Sequence, residues 1–443
     1  MSARRTGDKA APADLLLEVA AANRAGAHTG VYSVCSANRF VLEAALAEAA
    51  TDDSIVLIES TCNQVNQFGG YTGMIPAAFR DYVLALADAS GCDRRRVILG
   101  GDHLGPHVWR AEPAAQAMAK ARDLVRDCVL AGYTKIHLDA SMRLQGDPGP
   151  AGSAPDPGLA AERAAELAGA AEAAWGELPA GSSPPVYVVG TEVPVPGGEL
   201  AGPQGIVVTL PRDAERTLRQ SEDAFGRRGL RDAWTRVCGL VVQPGVDFGG
   251  DTVVGYDHDA ARDLVSWLEG VPWPLVFEAH STDYQAPAAL SELVADHFGF
   301  LKVGPALTFA FREAVFGLEQ AECEALAGGT GAEPSHLRDT LERAMRADPQ
   351  HWRPYVDNDA DLDRAAFGLS DRARYYWARP DVERAIERLL DNLTGHAGQP
   401  AADVQQQASA APPGTGRTDR PADLIRRRVA EVLAPYAAAC GMR

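Results

Sequence analysis

The 443-residue chain lacks the cysteine pattern of a disulfide-rich or zinc-knot protein. Its seven cysteines are scattered and odd in number, and none belongs to a C-x-x-C pair. We therefore expect free thiols and a reducing compartment, the cytoplasm. The N-terminus has no long apolar segment ahead of Asp14 and Glu18. Since a run of about twenty apolar residues is also missing, we expect neither a signal peptide nor a membrane helix.

Positive charge is scarce as well. The 42 Lys and Arg residues face 60 Asp and Glu, and the formal net charge is −18. A nucleic acid would meet a repulsive long-range field, so we expect no nucleic-acid partner. One phosphate group on a small molecule is still compatible with this charge, because a few basic side chains and backbone N–H groups are enough to bind it.

The first predicted strand is not followed by the G-x-G-x-x-G fingerprint of a dinucleotide-binding sheet. The chain instead alternates short apolar runs with Ala-, Leu-, Arg- and Glu-rich helical segments. Nearly continuous apolar runs are typical of parallel strands that are buried on both faces. Eight strands are predicted: Gly30–Ser36, Ser54–Glu59, Val97–Asp102, Thr134–Asp139, Val186–Glu192, Gly239–Gln243, Pro274–His280 and Phe300–Gly304.

This alternation predicts an α/β fold. The strand count and the missing fingerprint favour a closed TIM (β/α)8 barrel over an open doubly wound sheet, which is the alternative. We place the barrel at residues 13–310 and a C-terminal helical elaboration packed on it at 311–394. The Ala-, Pro-, Gln- and Gly-rich segment 395–423 is expected to be a disordered linker, and 424–443 a C-terminal helix.

Ionisable residues fall at the ends of the predicted strands, and these ends share one mouth in a barrel. Single Asp or Asn residues there often only cap the next helix, but Glu and His are weak caps. Nitrogen and oxygen ligands without cysteine suit a catalytic Zn²⁺, Mn²⁺, Co²⁺ or Ni²⁺ ion. We predict His103, Glu192 and His280 as metal ligands and Asp102, Asp139 and Glu59 as catalytic residues, with Asp102 and Asp139 moving protons. His137 is either a ligand candidate or a hydrogen-bonded residue of the barrel interior.

Further polar residues near the mouth are candidates for substrate binding. The carboxamides after the second strand have the donors and acceptors needed to bind sugar hydroxyls, and an ordinary polar loop is the alternative. Barrels commonly bind phosphate with the loops after their last two strands. The predicted substrate residues are Asn63, Gln64, Asn66, Gln67, His107, Ser281 and Asp283, with Lys302, Arg372 and Arg374 for a phosphate. A surface salt-bridge network is the alternative for the two arginines.

Eight segments around the predicted strand ends carry recognisable motifs. They are IESTCNQVNQFGGYTGM (58–74), GGDHLGPHVW (100–109), YTKIHLDAS (133–141), VVGTEVPVPGG (188–198), VVQPGVDFG (241–249), FEAHSTDYQ (277–285), LKVGPALTFAFREA (301–314) and LSDRARYYW (369–377). These motifs resemble the GatZ/KbaZ family, the so-called non-catalytic subunit of class II tagatose-1,6-bisphosphate aldolase. The likeness covers roughly residues 13–394 and the terminal helix near 424–436.

The resemblance implies a TIM barrel related to class II aldolases. By motif, Asp102-His103 resembles the catalytic Asp and metal-binding His of those enzymes, Glu192 their strand-end Glu, and His280 the His of their seventh strand. Their remaining metal His would fall around Gly239, where this chain has none, so Gln243 is a candidate oxygen ligand.

The resemblance also implies one of two roles. The first is a metal-dependent 4-epimerase of tagatose 6-phosphate and fructose 6-phosphate, which would use retro-aldol and aldol chemistry. The second is a non-catalytic, chaperone-like partner of a catalytic aldolase subunit. An older kinase label in the family finds no support, since no G-x-x-x-x-G-K-[ST] loop occurs. We favour the epimerase and leave the metal, a free sugar as substrate and homo-oligomer formation open.

Overall fold

The computed structural model describes residues 12–150, 154–191, 206–327, 332–356, 362–395 and 420–442. Eight parallel strands close into a barrel, as the sequence predicted. The barrel strands are β1 (Val31–Val34), β2 (Val56–Thr61), β3 (Val97–Leu104), β4 (Lys135–Leu138), β5 (Val186–Val189), β6 (Val237–Val241), β9 (Val276–Ala279) and β10 (Phe300–Val303). A separate antiparallel pair is formed by β7 (Asp247–Phe248) and β8 (Val253–Val254).

Helices surround the barrel and extend beyond it. They are α1 (Pro12–Arg24), α2 (Arg39–Asp52), α3 (Pro76–Ser90), α4 (Ala114–Leu130), α5 (Pro157–Trp175), α6 (Pro211–Arg227), α7 (Arg231–Trp234), α8 (His258–Glu269), α9 (Pro287–Ala295), α10 (Pro305–Leu326), α11 (Leu337–Ala347), α12 (Leu362–Phe367), α13 (Pro380–Gly395) and α14 (Pro421–Ala439). No helix in this described part of the chain has both the length and the apolarity that a membrane span requires. All seven cysteines are free, as predicted.

Helix α1 closes the amino-terminal end of the barrel. Its residues Ala13, Leu16 and Ala20 are fully buried and pack against apolar side chains from the starts of the barrel strands, including Leu57 and Phe300. Burial of such side chains stabilises this end of the barrel. The amino-terminal end is therefore a packed core, and ligands must approach from the carboxyl end.

The C-terminal helix α14 is part of the layer of helices around the barrel. Helix α10 runs without a break through residue 310, so the domain boundary expected there falls inside a helix. Helix α14 packs against α2, α9 and α10, and the Tyr436 hydroxyl donates to the carbonyl of Thr282 at 2.6 Å. Most of the linker expected at 395–423 lies outside the described residues.

A buried ion pair fixes part of the C-terminal helical elaboration (residues 311–394), called the extension below, over the mouth of the barrel. Arg312 Nε of α10 lies 2.8 Å from Asp371 Oδ1, and the same guanidinium donates to the carbonyl of Phe367. Both charged side chains are buried. Because a buried charge is costly unless it is paired, this contact holds residues 367–375 in one place above the barrel.

Candidate active site

Five strands contribute an ionic cluster to the barrel interior. Lys135 Nζ lies 2.8 Å from Glu59 Oε1 and also binds Glu278, while Lys302 Nζ contacts Glu59, Asp102 and Glu278. Burial disfavours the charge on Lys135, but Glu278 and Glu59 outweigh it and raise the pKa of the ammonium group. Burial likewise opposes ionisation of Glu278, yet Lys135 and Lys302 hold its pKa well below the usual value. Lys135 and Glu278 therefore face each other as an ammonium group and a carboxylate.

Three imidazoles lie directly beside this cluster. The ring centroids are 5.2 Å apart for His103 and His137, 4.9 Å for His103 and His280, and 5.3 Å for His137 and His280. Each ring has a carboxylate partner. His103 Nδ1 lies 2.8 Å from Asp139 Oδ2, His137 Nδ1 lies 3.0 Å from Asp102 Oδ1, and His280 Nε2 lies 3.1 Å from Glu278 Oε1.

The backbone at two strand ends turns these side chains inward. The pairing of β3 with β4 shifts register between Gly101 and Leu104, and His103 within that shift has φ 49°. Ser281, directly after His280, has φ 55°. Non-glycine residues adopt this left-handed conformation rarely, and it often marks a functional site. A Cβ at Gly105 would lie 1.7 Å from the carbonyl oxygen of Asp139, so this approach of the two strands needs glycine.

Burial and the neighbouring carboxylates act differently on the protonation of His280 and His103. Burial lowers the pKa of His280 to about 4, which leaves its ring neutral and able to bind a metal. Burial also works against a charge on His103, but Asp102 and Asp139 outweigh it and raise the pKa of that ring. Although burial opposes ionisation of Asp102, the charges of His103 and Lys302 hold its pKa well below the ordinary value.

Four of these side chains could hold a metal ion. Asp102, His137, Glu278 and His280 each offer one ligand atom, and these atoms lie within 4.8 Å of one another. His137 Nε2 is buried and has no hydrogen-bond partner in the structure. A set of imidazole nitrogens and carboxylate oxygens fits Zn²⁺, Mn²⁺, Co²⁺ or Ni²⁺. The residues present therefore fit a divalent cation. Of the predicted ligands, His280 belongs to this group, His103 lies beside it, and Glu192 lies outside the described residues.

A cavity opens above the imidazoles toward the extension. Nine of the predicted site residues line it, together with others that the sequence did not indicate, among them Cys35, Tyr71 and Tyr375. The predicted residues in its wall are Asn63, Gln64, Asp102, His103, His280, Ser281, Asp283, Lys302 and Arg374. Glu59 and Asp139 lie deeper, where they bind the lysines and His103.

Other predicted residues are engaged elsewhere. The side-chain oxygen of Asn66 accepts from the backbone of Phe68 and Gly70, Gln67 donates to the carbonyl of Lys120, and the Gln243 oxygen accepts from the backbone of Gly245 and Val246. These three carboxamides hold turns and loops. His107 starts a short 3-10 turn, and burial lowers its pKa to about 4. The Arg372 guanidinium lies 3.3 Å from the centre of the Tyr355 ring. None of these five predicted residues, Asn66, Gln67, His107, Gln243 and Arg372, lines the cavity.

The cavity is also lined by one guanidinium, that of Arg374, and by two further carboxylates, those of Asp247 and Asp283. Arg374 donates to the carbonyls of Ser370 and Asp371 and to the Tyr375 hydroxyl. Within the described ranges it makes no ion pair with a carboxylate. Asp283 Oδ1 accepts from the backbone N–H groups of Gly304, at 3.0 Å, and Ala306, at 2.8 Å. Asp283 thus occupies the N-terminus of α10, where a barrel commonly binds phosphate.

Comparison with known proteins agrees with this geometry. Residues 16–441 match the family model described as D-tagatose-1,6-bisphosphate aldolase subunit GatZ/KbaZ-like. The chain is 48% identical over 378 residues to the D-tagatose-1,6-bisphosphate aldolase subunit GatZ of Escherichia coli (strain K12), covering 85% of this chain and 87% of that protein. The GatZ subunit of Shigella boydii serotype 18 matches to the same extent.

The chain belongs to the GatZ/KbaZ-like family. The resemblance found in the sequence motifs is thereby confirmed. Among solved structures, the GatZ/KbaZ-like chain is similar to the crystal structure of a "probable tagatose 6 phosphate kinase" from Sinorhizobium meliloti 1021. The TM-score is 0.79 at 41% identity, with 93% of this chain and all of that chain covered.

Lys135 and Glu278 of this GatZ/KbaZ-like site are absent from the predicted set, and His137 is a ligand candidate there only as one of two alternatives. Lys135, His137 and Asp139 alternate along β4 and its end, so the period-two pattern of a strand places all three on one face. The same alternation pairs Glu278 with His280. Alternation within each strand, rather than the strand end alone, was the signal for Lys135, His137 and Glu278.

Proposed function

We propose that this protein is a metal-dependent 4-epimerase of ketohexose 6-phosphates, interconverting tagatose 6-phosphate and fructose 6-phosphate. The carrying observation is the lining of the cavity: His103, His280 and Asp102 line one part of it, and Arg374, which has no carboxylate partner among the described residues, lines another. The first part suits a polarised carbonyl and the second a phosphate.

The metal would be held by Asp102, His137, Glu278 and His280. When bound, a divalent cation supplies Lewis-acid polarisation of a ketose carbonyl and makes a neighbouring hydroxyl more acidic. The Oδ1 atom of Asp102 faces His137 and Lys302, whereas Oδ2 lies 3.7 Å from Cys35 Sγ and 3.8 Å from His103 Nε2. Asp102 can therefore take part in the ligand group with one oxygen and face the cavity with the other.

Retro-aldol cleavage breaks the C3–C4 bond, passes its electron pair toward the C2 carbonyl and removes the proton of the 4-hydroxyl. We assign this proton to Asp102, which returns it when the aldehyde is attacked on its other face. Its low pKa makes Asp102 a weak base, so the reaction depends on a substrate hydroxyl that has become more acidic. Asp139 positions His103 through the bond to Nδ1 and is itself held by Ser141.

Binding of the rest of the sugar is assigned to the other polar residues in the cavity wall. Asn63 and Ser281 offer hydrogen bonds to hydroxyl groups, and Arg374 offers a charged donor to the 6-phosphate. The Gln64 carboxamide binds the backbone of Thr61 and Cys35 and shapes the wall beside them. A bound phosphate would supply the counter-charge that Arg374 lacks. This assignment favours the phosphorylated sugar over the free sugar.

One observation favours a second function, that of a non-catalytic aldolase subunit. The Lys302 ammonium group contacts three carboxylates and offsets much of their charge without any metal. The curated relatives are also named as aldolase subunits. In that role the ionic cluster would stabilise the barrel, and a catalytic aldolase subunit would be the partner.

Metal-dependent turnover by the isolated protein separates the two functions. The protein is purified alone, treated with a chelator and reloaded with Zn²⁺, Mn²⁺, Co²⁺ or Ni²⁺. We expect it to interconvert fructose 6-phosphate and tagatose 6-phosphate with at least one of these ions. No turnover with any of them, together with increased activity of a co-expressed aldolase, would establish the subunit role instead.

Asp283 predicts a pH dependence of substrate binding. Burial raises its pKa to about 6, so the carboxyl group becomes an anion, in the same cavity as Arg374, as the pH rises through that value. An anion there opposes a phosphate. We expect the KM ratio of wild type to Asp283→Asn to rise about three- to tenfold between pH 5 and pH 8. Since the phosphate group itself titrates near pH 6, only this ratio is informative. A ratio that stays flat over this range would contradict the prediction.

A further inference from the structure

We propose that Lys302 is an internal cation that competes with the divalent metal for Asp102 and Glu278, so that metal binding requires its ammonium group to leave them. This inference rests on the metal site of the proposed function and adds to it a residue that sets metal affinity. It comes from where the ammonium group lies relative to the candidate ligands.

The ammonium group occupies the space between two candidate ligands. Lys302 Nζ lies 3.0 Å from Asp102 Oδ1 and 3.3 Å from Glu278 Oε1, and it also contacts Glu59. Asp102 and Glu278 belong to the four residues whose ligand atoms lie within 4.8 Å of one another. The same carboxylate oxygens cannot bind a divalent ion closely while an ammonium group remains against them.

The charge balance of the cluster favours exchange over simple addition. Glu59, Asp102 and Glu278 carry three negative charges, against two positive charges on Lys135 and Lys302. A dication added to both ammonium groups would leave one buried positive charge in excess. If the dication replaces the Lys302 ammonium, the three carboxylates are balanced by Lys135 and the metal. Since an uncompensated buried charge is costly, the exchanged state is favoured.

Of the two lysines in the cluster, only Lys302 can move its ammonium group away from the carboxylates. It lines the cavity and its side chain is 5% exposed, so rotation of its flexible stem would move the ammonium group toward solvent. Lys135 is completely buried, held by Glu59 and Glu278 and 5.3 Å from the centre of the Phe300 ring. Lys135 therefore stays as the permanent counter-charge, and Lys302 is the exchangeable one.

Metal titration of Lys302→Gln tests the exchange. The dissociation constants for Zn²⁺ and Mn²⁺ are measured by competition with a chromogenic chelator, without an activity assay. We expect Lys302→Gln to bind each ion about ten- to hundredfold more tightly than wild type, on the scale by which residues around a metal site change its affinity. Lys135→Gln removes the same charge from the same cluster and is the matched control, with a gain at least about tenfold smaller expected. If both variants gained metal affinity equally, the gain would reflect only the loss of one positive charge from the cluster. That result would overturn the proposal.

Lysine labelling of the wild-type protein gives an independent measurement that needs no folded variant. The chain has only four lysines, Lys9, Lys120, Lys135 and Lys302, so mass spectrometry assigns each reductive methylation product without ambiguity. We expect saturating Zn²⁺ to increase the labelling of Lys302, while Lys135 stays protected. Unchanged or reduced labelling of Lys302 would overturn the exchange. If wild type and Lys302→Gln bind metal equally tightly, the exchange fails and the epimerase proposal stands; if neither binds any metal, both proposals fail.

Discussion

Replacement of His280 by alanine is expected to remove both the metal and the epimerase activity. His280 lies in the ligand group, its ring is 4.9 Å from that of His103, and burial keeps it neutral by lowering its pKa to about 4. We expect kcat/KM to fall by more than about a thousandfold, which is ~4 kcal/mol of transition-state stabilisation. Bound metal, measured by elemental analysis after gel filtration, should fall from about one ion per chain to a trace.

His28→Ala is the matched control for this experiment. His28 is exposed before β1, far from the mouth of the barrel in the fold, and its loss should change neither metal content nor turnover. Thermal unfolding of both variants shows whether the barrel is intact. A folded His280→Ala protein that keeps its metal and its turnover would contradict the assigned site. Full support of a partner aldolase by His280→Ala would favour the subunit role.

The architecture could be predicted because parallel strands in a barrel are buried on both faces. Runs such as Ile55–Ile58 and Val186–Val189 are apolar without alternation, which is typical of strands in a sheet that helices cover. Two features could not be seen in this way. Helix α1 packs across the amino-terminal end of the barrel, and α14 returns from a distant part of the sequence to join its wall. Both positions depend on tertiary contacts that no local pattern encodes.

The site was only partly predictable, since strand ends identify the mouth but not the depth of a side chain. Asp102, His103 and His280 were found because they end strands, whereas Lys135 lies at the start of β4 and reaches the cluster from below. The sequence signal for Lys135 was the rarity of lysine in this chain. The chain has four lysines in 443 residues, and two of them, Lys135 and Lys302, lie inside predicted strands. A chain that uses arginine almost everywhere keeps lysine where a compact, flexible cation is needed.

Residue type alone also could not show which polar side chains line the cavity and which bind the nearby backbone. Asn63 and Gln64 line the cavity, although the Gln64 carboxamide also binds the backbone of Thr61 and Cys35. Asn66 and Gln67 bind backbone groups away from the cavity, as polar side chains in loops often do. Arg372 and Arg374 show the same limit. They lie two residues apart in a 3-10 turn, and only Arg374 lines the cavity while Arg372 stacks on Tyr355.

Arg374 is therefore the residue for which we expect a loss that depends on the substrate. Arg374 is partly buried in the cavity wall. Truncation of one member of a buried, hydrogen-bonded charge pair costs about 2–5 kcal/mol, and we take this range for its contact with a phosphate. We expect Arg374→Met to lower kcat/KM for tagatose 6-phosphate by roughly thirtyfold to a few thousandfold. The activity on free tagatose should stay near its wild-type level, because that sugar has no phosphate to lose contact with.

Two further variants and a second ligand make the result specific. Arg374→Lys keeps the charge but loses the planar pair of donors, so it should recover only part of the activity on the phosphorylated sugar. Arg346→Met removes an exposed arginine on α11 and should change nothing. Inorganic phosphate should inhibit the wild type more strongly than Arg374→Met. Equal losses on tagatose and tagatose 6-phosphate would mean that Arg374 shapes the cavity through Ser370, Asp371 and Tyr375 rather than binding the phosphate.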